Sequence, residues 1–134
     1  MAGLDTNLLV RLLVADDARQ LAKVQALVRD AALQDTPLFI PVTVVLELEW
    51  VLRSRYGFGK DQIVAAIVGL LESRELTFQL EAALEQALHD YSDCAADFAD
   101  CLHAALCSTH SHAPLLTFDS KAARLPDVEL VQAG

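Results

Sequence analysis

With 134 residues, 54% of them hydrophobic, and a mean hydropathy of +0.34, the chain has the size and core material of one folded domain, which excludes global disorder. Its formal net charge of −9 argues against a protein that coats nucleic acid through bulk charge. Arg11, Glu47, Glu49 and Arg53 interrupt the apolar stretches before any reaches the roughly eighteen residues of a membrane span, so no membrane partner is expected.

The opening MAGLDTN has an acid where a secretory signal carries a basic segment, which predicts a cytoplasmic chain. MAGL itself reads as a short inner parallel strand ending at Asp5. NLLVRLLV then runs into ADDARQLAKVQALVRDAAL, where Leu21, Val24, Leu27 and Val28 recur at helical spacing and Asp16 or Asp17 can cap the start. PLFIP reads as a second strand. A helix is expected from near Thr43, a possible N-cap, through LELEWVLRSR, and YGFGK breaks it. DQIVAAIVGLLESR is an amphipathic helix and ELTFQL a strand candidate; EAALEQALHDY and AADFADCLHAALCSTH are two further helices. APLLTFDSKAARLPDVELV supplies a buried strand, LLTF, then an acid, a short helix and a last strand, VELV. Strands alternating with helices predict βαβ units and a mostly parallel sheet covered on both faces, in one domain over residues 1–134.

Cys94, Cys101 and Cys107 fit neither a metal pair nor a disulfide framework. They read as small buried hydrophobes, with Cys94 and Cys101 sharing a helical face by their separation of seven.

Acids are distributed unevenly. Between Glu75 and Ser120 the chain has no Lys or Arg, yet it holds Glu75, Glu81, Glu85, Asp90, Asp93, Asp97, Asp100 and Asp119. On residues 94–106, helical spacing puts Phe98, Leu102, Ala105 and Leu106 on one side and Asp97, Asp100, His103 and Ala104 on the other. An exposed face is the ordinary reading of such a pair, but Ala and Cys fill the polar arc where a solvated surface would carry Lys, Gln or Glu. Asp5 and Asp119 each follow a strand candidate, where ligands of parallel α/β sheets collect. In LELEW either both glutamates are exposed on a helix, or one of Glu47 and Glu49 faces solvent and the other the core or a cleft; spacing does not say which. Carboxylates gathered about 4 Å apart repel by about 4 kcal/mol per pair at an effective dielectric of 20, so a cluster requires protons or a cation. An all-oxygen donor set suits Mg²⁺ or Mn²⁺ and points to metal-assisted phosphoryl chemistry.

Other chemistries fit less well. Asn7 stands where a haloacid-dehalogenase-type phosphatase needs a second Asp, and there is no Walker loop, G-x-G-x-x-G or nucleophile elbow. His110 and His112 flank Ser111 in a polar turn, and His103 lies one turn beyond Asp100. A Mg²⁺-binding receiver-like signalling module is the alternative, though the first strand lacks an acid pair and the Asp119–Lys121 spacing does not match. A non-catalytic scaffold would be expected to lack one of the acids.

LDTNLLVRLLVADD, ELEWVLRSRYGF, ADFADCLHAAL and LLTFDSKAARLP, in this order over nearly the whole chain, resemble the PIN-domain ribonucleases. More narrowly, they resemble the VapC-type toxins of type II toxin–antitoxin pairs. The resemblance implies a three-layer α/β/α sandwich with a short, mostly parallel central sheet. It also implies hydrolysis of RNA phosphodiesters with Mg²⁺ or Mn²⁺ held by Asp5, Glu47, Asp100 and Asp119. In the family pattern E-L-x-W the acid is Glu47 rather than Glu49. Asp97 matches a frequent supporting acid, and Asn7 and Thr117 match polar residues that hydrogen-bond to the carboxylates. Arg11, Arg53, Arg55, Lys121 and Arg124 are the basic residues available to guide RNA. A small cognate antitoxin and a homodimer are the partners the resemblance implies.

Overall fold

Asp5 stops the first extended segment by turning it into a helix. A computed structural model describes residues 2–132, which fall into two compact units divided between Gln79 and Leu80. Their six α-helices and short parallel strands are the mixed α/β class expected from the alternating sequence pattern.

In the first unit, residues 2–4 run beside β1 (Leu38–Ile40). The Leu4 N–H donates to Phe39 O at 2.9 Å, and the Phe39 N–H donates to Ala2 O at 2.8 Å. These bonds make one parallel bridge, Gly3 to Phe39, so the strand expected at MAGL is only a bridge. The reason is local: Asp5 Oδ1 accepts from the Thr6 N–H at 2.7 Å and α1 (Thr6–Leu13) begins at once. A loop leads to α2 (Ala18–Gln34), capped by Asp17, whose Oδ1 accepts from the N–H groups of Arg19 and Gln20 at 3.1 and 3.0 Å. Of its expected apolar face, Val24 is buried while Leu27 is exposed. The helix ends at Asp35 in the left-handed region, φ 50°, a conformation that Asp tolerates better than most side chains.

β1 pairs in parallel with β2 (Leu76–Phe78), Leu38 opposite Leu76 and Ile40 opposite Phe78. Between them lie α3 (Val42–Ser54) and α4 (Lys60–Leu71). Pro41 occupies the cap of α3, so Thr43 lies inside the helix rather than at its cap. Leu48 and Leu52 of α3 and Ile63 and Ile67 of α4 are fully buried, each contributing about 1.5–3 kcal/mol by leaving water. The break between these helices is set by Gly57, whose φ of 67° would strain any side chain. Gln62 Oε1 then accepts from the Gly59 N–H at 2.8 Å, one half of a capping box that opens α4.

The second unit pairs α5 (Glu81–Asp93) with α6 (Phe98–Thr109). Leu84, Leu88, Phe98, Cys101 and Leu102 are buried, and Tyr91 meets Phe98 edge to face with centroids 5.4 Å apart. Because α6 begins at Phe98, Cys94 lies outside it in extended backbone at the end of α5 and shares no helical face with Cys101. Cys94 is only half-buried, against the expected burial. Two parallel strands follow, β3 (Leu115–Thr117) and β4 (Val128–Leu130), joined through a 3-10 turn at Ala122–Arg124. LLTF is not a buried strand: Leu116 is 62% and Phe118 72% exposed. No described helix is long and apolar enough to cross a membrane.

Candidate functional site

In the first unit two of the expected acids share one anchor. Asp5 is the cap of α1 and Glu47 is on α3, forty-one residues from Thr6. The backbone N–H of Thr6 donates to Asp5, and its hydroxyl donates to Glu47 Oε1. Thr6 is buried, while both carboxylates are exposed. Asp5, Asn7 and Glu47 border the same cavity of about 220 Å³, whose walls include Arg11, Trp50 and Tyr56. Thr6 escaped the sequence reading; a β-branched hydroxyl at the first position of an apolar helix is the signal that could have exposed it. Asn7, expected to support a carboxylate, is exposed and lines the cavity.

The LELEW ambiguity has a physical outcome. Glu49 is the buried one, 3% exposed, and accepts from Arg53 Nε at 2.8 Å across one helical turn. Glu47 points to solvent and the cavity. Arg53, read as a possible RNA guide, is thus engaged with Glu49. Arg11, another such residue, is engaged too. Its Nη1 donates to Asp16 at 2.5 Å and to the Tyr56 hydroxyl at 3.4 Å, its Nε donates to Gln20 at 2.7 Å, and Tyr56 donates to Asp16 at 3.2 Å. The Tyr56 oxygen first, and Asp16 second, raise the Arg11 guanidinium further above its ordinary range.

In the second unit Asp97 sits at the cap position of α6 and Asp100 in its first turn. Partial burial, then the charges of Asp119 and Asp97, push the Asp100 carboxyl above the usual carboxylate range, with His103 opposing. Asp100 is half-buried while Asp97, His103 and Asp119 are exposed. Ala104, placed beside the acids by helical spacing, is buried with the apolar side instead. Asp119 follows β3 by two residues, and its Oδ1 accepts from the N–H groups of Lys121 and Ala122 at 2.8 and 3.2 Å. Thr117 accepts from the Asp119 N–H at 3.0 Å, so it fixes the backbone of this acid rather than its carboxylate. Lys121 is exposed at the start of the same turn.

Among the described residues, no three Asp, Glu, His or Cys side chains stand close enough to hold a metal ion as placed. Ligand chemistry still fits a hard cation. Every expected donor is a carboxylate oxygen, three of the four are exposed, and Asp100 carries an unfavourable charge that a cation would relieve.

The PIN domain family model matches residues 3–128, through both units. No curated protein matches the chain. With a family match over nearly its whole length and a PIN-like mixed α/β fold, the chain belongs to the PIN domain family, a superfamily of metal-dependent nucleases, and so stands coarsely among the hydrolases.

Proposed function

We propose that this chain is a Mg²⁺- or Mn²⁺-dependent endoribonuclease of VapC type, the toxin of a toxin–antitoxin pair, acting as one nuclease domain over residues 1–134. The observation that carries the reading is the pair Asp5 and Glu47, held on one cavity wall by the same residue, Thr6. Asp100 and Asp119 are the other two ligands proposed, with Asp97 in support.

When bound, a divalent cation supplies Lewis acidity at a phosphodiester oxygen and makes water a better nucleophile. The chain's own part is to present oxygens and hold them still. Thr6 fixes the Glu47 rotamer through a hydroxyl hydrogen bond, and the turn at Lys121 and Ala122 fixes Asp119 by one oxygen. Burial first, then the charges of Asp119 and Asp97, disfavour the ionised Asp100 carboxylate, and a divalent ion beside it would offset that cost. No Ser or Cys nucleophile is required. A small antitoxin, a homodimer and a cytoplasmic setting complete the reading.

Cleavage of single-stranded RNA in Mg²⁺ or Mn²⁺ by the unmodified chain, Asp5→Ala and Asp100→Ala tests it. Cleavage by the unmodified chain and a loss of about 100-fold or more in both variants is expected. Equal cleavage by all three would sink the proposal. The toxin role predicts growth arrest on expression that Asp5→Ala abolishes; arrest by both would overturn it.

A further inference from the structure

Trp50 is the chain's one tryptophan and is half exposed, at 50%, on the wall of the cavity that Asp5 and Glu47 border. On α3 it follows Glu47 by three residues, so the two side chains lie on one helix face. The Arg55 guanidinium lies 5.9 Å from the centroid of its ring. Arg55 itself is exposed and lines the same cavity, and among the described residues it forms no ion pair. Arg11, the other cation on this wall, is held by Asp16, Gln20 and Tyr56. A half-exposed indole, a guanidinium over its ring that has no acid partner among the described residues, and apolar side chains from Val10 and Val51 thus adjoin two acids.

We propose that this cavity takes one unpaired base of a single-stranded RNA against Trp50, with Arg55 holding an adjoining phosphate. The cavity's 220 Å³ falls below the range of about 300–1,000 Å³ typical of sites for drug-sized ligands, and so suits one planar ring better than a whole nucleotide. A base can reach an aromatic side chain only when it is out of a duplex, so this subsite needs an unpaired nucleotide. The charge argument agrees: a chain of net charge −9 needs a local cation to hold a phosphate, and Arg55 is the cation on this wall left without an acid. The inference rests on the nuclease reading for why RNA should come here, but its test is independent of cleavage.

Because Trp50 is the chain's one tryptophan, its fluorescence reports this cavity alone. A short single-stranded oligoribonucleotide of mixed sequence, titrated into the intact chain in EDTA, should quench that emission saturably, and the same sequence as a duplex should not. Read by the fluorescence anisotropy of the same oligoribonucleotide carrying an end label, Trp50→Ala should weaken binding by about 5- to 150-fold, the range for loss of one stacked base, and Trp50→Phe should restore most of it. Arg55→Ala should reduce the salt slope of binding by about 0.7, the share of one phosphate contact on a single strand. Absence of quenching, or Trp50→Ala and Trp50→Phe both binding as the unmodified chain does, would overturn the proposal. So would a Trp50→Ala chain that changes from dimer to monomer with RNA affinity per folded molecule unchanged, which would make Trp50 a contact between copies. Quenching without any Mg²⁺- or Mn²⁺-dependent cleavage would leave the base site standing and refute the nuclease reading. Cleavage without quenching would do the reverse.

Discussion

The Thr6 hydroxyl donates a hydrogen bond to Glu47, tying the first turn of α1 to the middle of α3. This bond fixes which way a solvent-exposed glutamate points, on an element whose neighbouring glutamate is buried. On the proposed reading of Glu47 as a metal ligand, a residue that orients it is expected to account for about 10- to 100-fold in metal affinity or activity. Thr6→Val keeps the shape and removes the hydroxyl. It should lower metal-dependent RNA cleavage by about 10- to 100-fold, and Thr6→Ser should recover most of it. Unchanged cleavage by Thr6→Val at matched folding would show that Glu47 needs no such support.

Asp100 yields a prediction of opposite sign for stability and activity. Its carboxyl is raised by partial burial and by Asp119 and Asp97, so at neutral pH the metal-free fold carries an unfavourable charge. Asp100→Asn removes it and should raise the melting temperature of the metal-free chain. Solvent screening of this half-exposed group holds the gain below about 1 kcal/mol, or about 4 °C. The same variant should lose the stabilisation that added Mn²⁺ gives the unmodified chain. Thermal melts with EDTA and with Mn²⁺ measure both, and a destabilised metal-free Asp100→Asn would contradict the electrostatic account.

Much of this was legible in the sequence because it depends on short-range rules. The positions of α2 and α4 follow from helical spacing and acids at their starts, α5 from its helical pattern, and β1 from an apolar run between prolines, while ELTFQL is a strand candidate that the structure makes β2. What was not legible depends on partners distant in the chain. An apolar run such as LLTF reads the same whether one face or both are covered, and Leu116 and Phe118 are exposed. MAGL could not reveal that Asp5 would start a helix immediately, leaving a single bridge. A separation of seven puts Cys94 and Cys101 on one face only if a helix runs through residues 94–97, and the backbone is extended at Cys94 and Asp97. For the acids, spacing narrowed the choice but did not rank Glu47 over Glu49; the E-L-x-W register did. The structure adds the physical reason that the two differ, since Arg53 lies with Glu49 and Thr6 with Glu47.

Arginines at the cavity should divide by what already holds them. Arg11 binds Asp16, Gln20 and Tyr56, linking α1 to the loop and start of α2 and to Tyr56 beyond α3. Arg11→Ala should therefore lower the melting temperature and speed proteolysis in the loop around Asp16, with little change in the salt slope of RNA binding. Arg55→Ala should do the reverse. Salt-dependent RNA binding in EDTA, paired with thermal melts, separates the two roles, and a fall of about 0.7 in the slope for Arg11→Ala would show that it also meets a phosphate.

Glu47 and Glu49 offer the sharpest separation, because two identical side chains two residues apart have opposite surroundings. Glu49 is buried beside Arg53, whose guanidinium donates to both of its oxygens. Glu49→Ala removes that carboxylate from α3 and leaves Arg53 without it, which should destabilise the fold by about 1–3 kcal/mol. Cleavage per folded molecule should stay near that of the unmodified chain. Glu47→Ala loses one hydrogen bond at an exposed position and should cost less than about 1 kcal/mol, yet abolish metal-dependent cleavage. Denaturant melts and RNA cleavage on the same preparations measure both quantities. If Glu49→Ala lost activity while keeping its stability, the buried pair would belong to the site and Glu47 would be a surface acid; the opposite pattern follows from the geometry, because only Glu47 of the two opens onto the cavity beside Asp5.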